Sequence, residues 1–319
     1  MNPIIIIACI FILMICFPFI VAYIYYETHD MKPLHINQHR SRKIEYFYKM
    51  FLEKIKAAGM DRKRHIIYID GEEKYIDGDS IDKIPKIVNK MILSFNKKLS
   101  ISRNVKCLSK PVYSKEAIDV EAGKKKLLIN ALCSESDINI RRDIEVEKWM
   151  GADGSVSIHG NGSLGISLCS DKSIYIDGIF NFRRIYAPVI KISEGKELKS
   201  DDYKRVKKQG NIVSKNEIVW SEPVHLEGSI RADGIIKIGV GSYIDGNIFS
   251  DFDIYIGEDS VILGNIFSQS SVYLAENVVV GSPEQKRSII AGDDIMLRKG
   301  DTIYGYVSCE KNGKTEVNL

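Results

Sequence analysis

The sequence predicts a mainly β protein. A parallel β-helix of about eighteen residues per coil follows an N-terminal transmembrane helix and a small α+β domain. Three observations predict this. An eighteen-residue echo runs through the second half of the chain, and a short fixed period means one structural unit stacked on copies of itself. A charge-free apolar segment opens the sequence. The stretch between them has helical and hairpin patterning and an excess of basic residues.

The first element is residues 3–26. Ile4 to Tyr26 carries no charged residue, and about twenty apolar residues at ~1.5 Å each cross a hydrocarbon core of about 30 Å. Tyr23, Tyr25 and Tyr26 suit the interfacial aromatic belt. Met1-Asn2-Pro3 has no basic side chain and no A-x-A cleavage pattern follows, which favours an uncleaved anchor over a signal peptide. Lys32, Arg40, Arg42, Lys43 and Lys49 follow the span and none precedes it. The positive-inside rule therefore places the N-terminus outside and the C-terminal domains in the cytoplasm of a single-pass membrane protein. Six scattered cysteines without C-x-x-C spacing fit reduced thiols.

The second element, 32–125, reads as a basic membrane-proximal α+β domain. Ile44, Phe47, Tyr48, Phe51, Leu52 and Ile55 recur at helical spacing, ending near Gly59. His65 to Ile69 and Lys74 to Ile76 read as strands about an Asp70-Gly71 turn. Ile84 to Leu99 is expected to form a second helix. Lys32 to Asn130 holds 23 basic against 12 acidic side chains, which suits the anionic surface of a lipid bilayer. No recognition motif supports nucleic acid as a partner.

The third element, 126–309, is the β-helix. Ile236-Lys237-Ile238 returns as Ile254-Tyr255-Ile256 and Val272-Tyr273-Leu274. Gly246-Asn247-Ile248-Phe249-Ser250 returns as Gly264-Asn265-Ile266-Phe267-Ser268, and Ile138, Val156, Ile174 and Ile192 fall on the same spacing upstream. Alternating apolar runs between Gly, Asn, Asp and Ser are strand and turn chemistry. Ile230, Ile248 and Ile266 are expected in one core column, with Ile238, Ile256 and Leu274 in another. Gly228, Gly246 and Gly264 form a line of bends where positive φ suits glycine. A charged loop at 194–216 and an excursion from Ser282 to Arg287 interrupt the period, with the next coil near Ile295. Residues 310–319 read as a polar tail folding over the last coil.

The sequence offers no catalytic, metal or cofactor motif. Asp77-Gly78-Asp79 lacks the spacing of a calcium loop, and His159 and His225 read as surface histidines. The enzymatic alternative is a hexapeptide-repeat acyltransferase, a trimer acting on acyl-CoA, because Leu226, Ile238, Ile244, Ile256, Ile262, Leu274 and Val280 lie on a six-residue grid. The grid fails at Ala232, Ser250 and Ser268.

The Gly-Asn-Ile-x-Ser element with its following apolar triplet resembles the bactofilins, polymer-forming bacterial cytoskeletal proteins. The resemblance is strongest over 224–274 and thinner over 138–309. It implies a right-handed β-helix, no cofactor and no catalytic residue. It also implies self-association through the helix ends into a scaffold for cell-wall or morphogenetic proteins at the inner membrane. The full span and the folded spacer depart from that family.

Overall fold

The structure is a computed structural model. It describes residues 46–58, 66–69, 72–76, 80–81, 91–95, 97–195 and 207–317. The expected span at 3–26, with Tyr23, Tyr25 and Tyr26, lies outside them, as does Asp77-Gly78-Asp79. Among the described residues no helix is long and apolar enough to cross a membrane.

Short strands separated by tight bends coil into a β-solenoid of about 12 turns, with about 18 residues in each. Every turn has three faces, and each strand pairs in parallel with its equivalent one coil away. In the C-terminal stack, 207–316, the register runs Ile212 to Ile230 to Ile248 to Ile266 on one face. On the next it runs Ile218 to Ile236 to Ile254 to Val272. Ile230, Ile248 and Ile266 are fully buried, and Ile238, Ile256 and Leu274 nearly so. Burying each such side chain contributes about 1.5–3 kcal/mol, and neighbouring coils supply the cover that one coil lacks.

The N-terminal stack, 92–192, is less regular. Its first face runs Leu99, Ile118, Ile138, Val156, Ile174, Ile190. The early coils are one or two residues longer than the later ones, and bulges near Gly123 and Ile129 absorb the excess. Arg142 is buried at that corner, its guanidinium donating to the carbonyls of Lys125 and Arg103.

The two stacks meet coil to coil. The last coil of the first, Phe180–Ile192, pairs antiparallel with the last coil of the second, Thr302–Glu316. Thr315 seals the joint: its hydroxyl donates to Gly178 O at 2.8 Å and accepts from Phe180 N at 2.9 Å.

Helix α1, Tyr46–Ala58, lies against one face of the N-terminal stack. Tyr48, Leu52 and Ile55 pack on Leu93, Tyr113, Cys133 and Cys169 from successive coils. Tyr48 Oη donates to Asp153 Oδ1 at 2.8 Å. A Cβ at Gly151 would collide with the Tyr48 ring, so the glycine makes room for the helix. Ile66–Ile69 and Glu72–Ile76 form the expected antiparallel hairpin.

Five expectations change. Over its described part, 91–95 and 97–99, the second helix expected at 84–99 gives way to strands at Ile92–Ser94 and Leu99–Ile101. Its apolar spacing also fits a strand, and ladder pairing with Tyr75-Ile76 and Val112–Ser114 decides the outcome. Residues 91–125, assigned to the membrane-proximal domain, are therefore coils of the solenoid rather than a precursor to a stack beginning at 126. The charged stretch 194–216 is only partly a loop, because Lys207–Gln209 and Ile212–Ser214 already pair with the following coil. The coil after the Ser282 excursion starts at Arg287, ahead of Ile295. Residues 310–316 form no separate tail; they complete the last coil against Ile295–Arg298.

Candidate functional site: the coil edges and outward faces

The repeated Gly-Asn-Ile-x-Ser element is used up by the fold. The Ile fills the core. Each Asn carbonyl takes a backbone N–H from the next coil: Asn265 N donates to Asn247 Oδ1 at 2.8 Å, and Ser288 N to Asn265 Oδ1 at 2.9 Å. Each Ser closes a corner. Ser250 Oγ donates to Gly234 O at 2.7 Å and accepts from Phe252 N at 3.0 Å; Ser268 repeats this with Phe252 O and Ser270 N. Such hydroxyl-to-backbone bonds are characteristic turn chemistry.

The reason expected for the bend glycines holds at one of the three. Gly228 has φ 148°, but Gly246 and Gly264 do not lie in the positive-φ region. What they share is crowding: a Cβ at Gly246 would land on Gly228 O, and one at Gly264 on Gly246 O.

Function must therefore use what the core leaves over: edges and outward residues. The junction between the stacks consumes both C-terminal edges. Each stack consequently presents its first coil outward. The N-terminal one carries the Ile66–Ile76 hairpin, joined through Tyr75-Ile76 to Ile92-Leu93. The other is the coil 207–224. Its strands Lys207–Gln209, Ile212–Ser214 and Ile218–Val219 have a ladder partner on one side only among the described residues. An open strand edge is a template for pairing.

The core is also thinner there. Ile212 is half-buried where Ile230 is fully buried, and Trp220 is partly buried in line with Ile238. Val213 is 73 % exposed. Lys208 occupies the column that Leu226, Ile244, Ile262, Val280 and Ile303 fill in later coils. An open cavity of about 420 Å³ lies beside it, lined by Trp220, Glu222 and Pro223 among others. Sequence reading missed this coil although Gly210-Asn211-Ile212-Val213-Ser214 repeats the motif; its charged neighbours masked the signal.

The outward columns carry aromatic ladders. Arg231, Phe249 and Phe267 are in register, with both phenylalanines about two-fifths exposed. Tyr255 and Tyr273 stack at 4.8 Å and 10°, with Lys237 Nζ 5.4 Å from the Tyr255 ring. His225 lies 4.7 Å from the Tyr243 ring, and His159 also points outward.

Buried titratable groups serve the scaffold. Desolvation holds the Asp301 carboxyl well above the usual range, opposed by backbone N–H bonds from Arg298 at 2.7 Å and Val278 at 2.9 Å. Burial pushes the Cys309 thiol up to about 11. Cys133, Cys169 and Cys309 are buried and Cys107 is half-buried. Among the described residues no group of three or more His, Cys, Asp or Glu side chains could hold a metal ion.

No family model, curated protein or solved structure matches this chain.

Proposed function

We propose that the protein is a membrane-anchored structural scaffold, self-associating through the open coil at 207–224. The observation that carries this is the antiparallel joint of Phe180–Ile192 with Thr302–Glu316. It is a working example, within one chain, of two coil edges of this sequence joining. The coil at 207–224 offers the same kind of edge, without a second partner among the described residues. Two copies meeting there form a two-fold pair, because identical surfaces joined once close on themselves. Continued growth needs the N-terminal coil as well.

The likeness of Gly246–Ser250 and Gly264–Ser268 to bactofilins points the same way. It adds a right-handed coil, a cytoplasmic location at the inner membrane and cell-wall or morphogenetic partners. The acyl-CoA alternative is less favoured: Ser250 and Ser268, which interrupt its six-residue grid, are corner staples.

The test is sedimentation of the full chain in detergent. A dimer or larger species is expected, with Val213→Lys plus Val219→Glu returning it to monomer at unchanged melting temperature. A monomer at ~100 µM from the unaltered chain sinks the proposal. Topology is checked separately with an impermeant maleimide. Cys107 suits this better than buried Cys309, and labelling in intact cells contradicts a cytoplasmic solenoid.

A further inference from the structure

We infer that the outer face of the N-terminal stack carries a hydrolytic centre for small carboxylic esters, formed by Ser157, His159 and Asp177. Ser157 and His159 sit two residues apart on the strand Val156–His159, so both point outward. Asp177 lies one coil on, the direct register partner of His159. Ser157 Oγ is 3.2 Å from His159 Nε2, and His159 Nδ1 is 3.3 Å from Asp177 Oδ2. With the proton on Nδ1, that N–H donates to Asp177, and Nε2 is left to accept from Ser157. This is the connectivity of a nucleophile, a base and its orienting carboxylate, which is recognised by geometry and role rather than by sequence order.

A third coil holds the carboxylate. Ser193 Oγ donates to Asp177 Oδ1 at 3.0 Å. Ser193 has φ 56°, in the left-handed region that non-glycine residues seldom occupy, and such strain collects where a side chain is being aimed. Gly160 N donates to Asp177 O at 3.1 Å, tying the strand end to the same bend. Tyr175 flanks Ser157 on one side and Asn139 on the other, while Arg141 lies beside His159. Asn139 Nδ2 donates to Asp119 Oδ1 at 3.1 Å, so the second N–H of that amide and the Arg141 guanidinium, one strand spacing (~4.8 Å) away, are the donors left to serve a developing oxyanion.

The chemistry balances without a cofactor. Ser157 Oγ bonds to the ester carbonyl carbon as its proton passes to His159 Nε2. The bond to the alkoxy oxygen breaks, and that oxygen takes the proton from the imidazolium and leaves as an alcohol. Water then adds to the acyl carbon, giving a proton to His159, which returns it to Ser157 Oγ as the acyl group leaves as a carboxylic acid. His159 and Asp177 are about half exposed and Ser157 is half-buried. The face therefore suits short acyl groups such as acetate, presented from solvent. Exposure also limits the rate, since electrostatic stabilisation is weaker in water.

The probe is p-nitrophenyl acetate with the full chain in detergent, joined by fluorophosphonate labelling read by peptide mass spectrometry. Expected results are hydrolysis above the buffer rate and an adduct on Ser157. Ser157→Ala should abolish both, His159→Gln should lower the rate by about 10²-fold, and Asp177→Asn by about tenfold. Melting temperatures should be unchanged by Ser157→Ala and His159→Gln. Three outcomes overturn the inference: no hydrolysis above buffer, no adduct at Ser157, or a rate that survives Ser157→Ala while depending on His159 alone.

Discussion

The two stacks solve one problem in different ways. The C-terminal stack keeps a strict spacing through its first four coils, and identical side chains staple themselves: Asn247 with Asn265, Ser250 and Ser268 at their corners. The N-terminal stack lets its coil length drift and is held from outside. Arg142 fastens a swollen corner, and helix α1 straps four coils along one face. Among the described residues the irregular stack carries a helix along one face and the regular one carries none. The difference predicts which single changes spread and which stay local.

The largest expected effect is within the glycine column. Gly264→Ala drives a Cβ into a backbone carbonyl and should cost about 3 kcal/mol or more. Gly210→Ala, in open space at φ 109°, should cost about 1 kcal/mol. Urea unfolding of the two variants checks this, and equal costs would remove the distinction between a packed interior and an open end. Next comes Arg142→Ala, which strands two carbonyls at a buried corner. About 2 kcal/mol is expected, with faster hydrogen exchange confined to 103–127 and the C-terminal stack still protected. Loss of protection along both stacks would mean that they unfold as one unit.

Tyr48→Phe removes the bond to Asp153 and should cost about 1 kcal/mol, read as earlier proteolysis within α1 but not within 225–300. The smallest effect is a pH slope. Burial raises the folded-state affinity of Asp301 for its proton. Its contribution to stability is therefore full below the unfolded carboxylate value of about 3.9 and drains away as pH rises through the higher folded value. Relative to Asp301→Asn, the melting temperature of the unaltered chain should fall as pH is raised from about 4 to 7. A flat difference would show that the two N–H donors suffice to hold the charge.

Legibility followed the spacing. Ile230, Ile248 and Ile266 could be read as one column because nothing intervenes over three coils. Leu99 and Ile118 could not, since their coils run to nineteen and twenty residues before Ile138. Helix α1 and the hairpin were visible because each is a local pattern. The joint between Phe180–Ile192 and Thr302–Glu316 left no trace, being antiparallel and more than a hundred residues apart. The alignment of His159 with Asp177 was in principle legible at one period's distance. The link to Ser157 needed side-chain geometry.

The joint also has a consequence for biosynthesis. Translation delivers the strand at 180–192 long before its partner at 302–316. At ~5–20 residues per second the ribosome needs roughly 5–20 s to cover the gap. Throughout that interval the edge at 180–192 lacks the antiparallel partner that its own chain will supply. A holdase that shields extended backbone, or slow codons placed to separate the two halves in time, would decide how much of the newly made protein closes on itself rather than on a sibling.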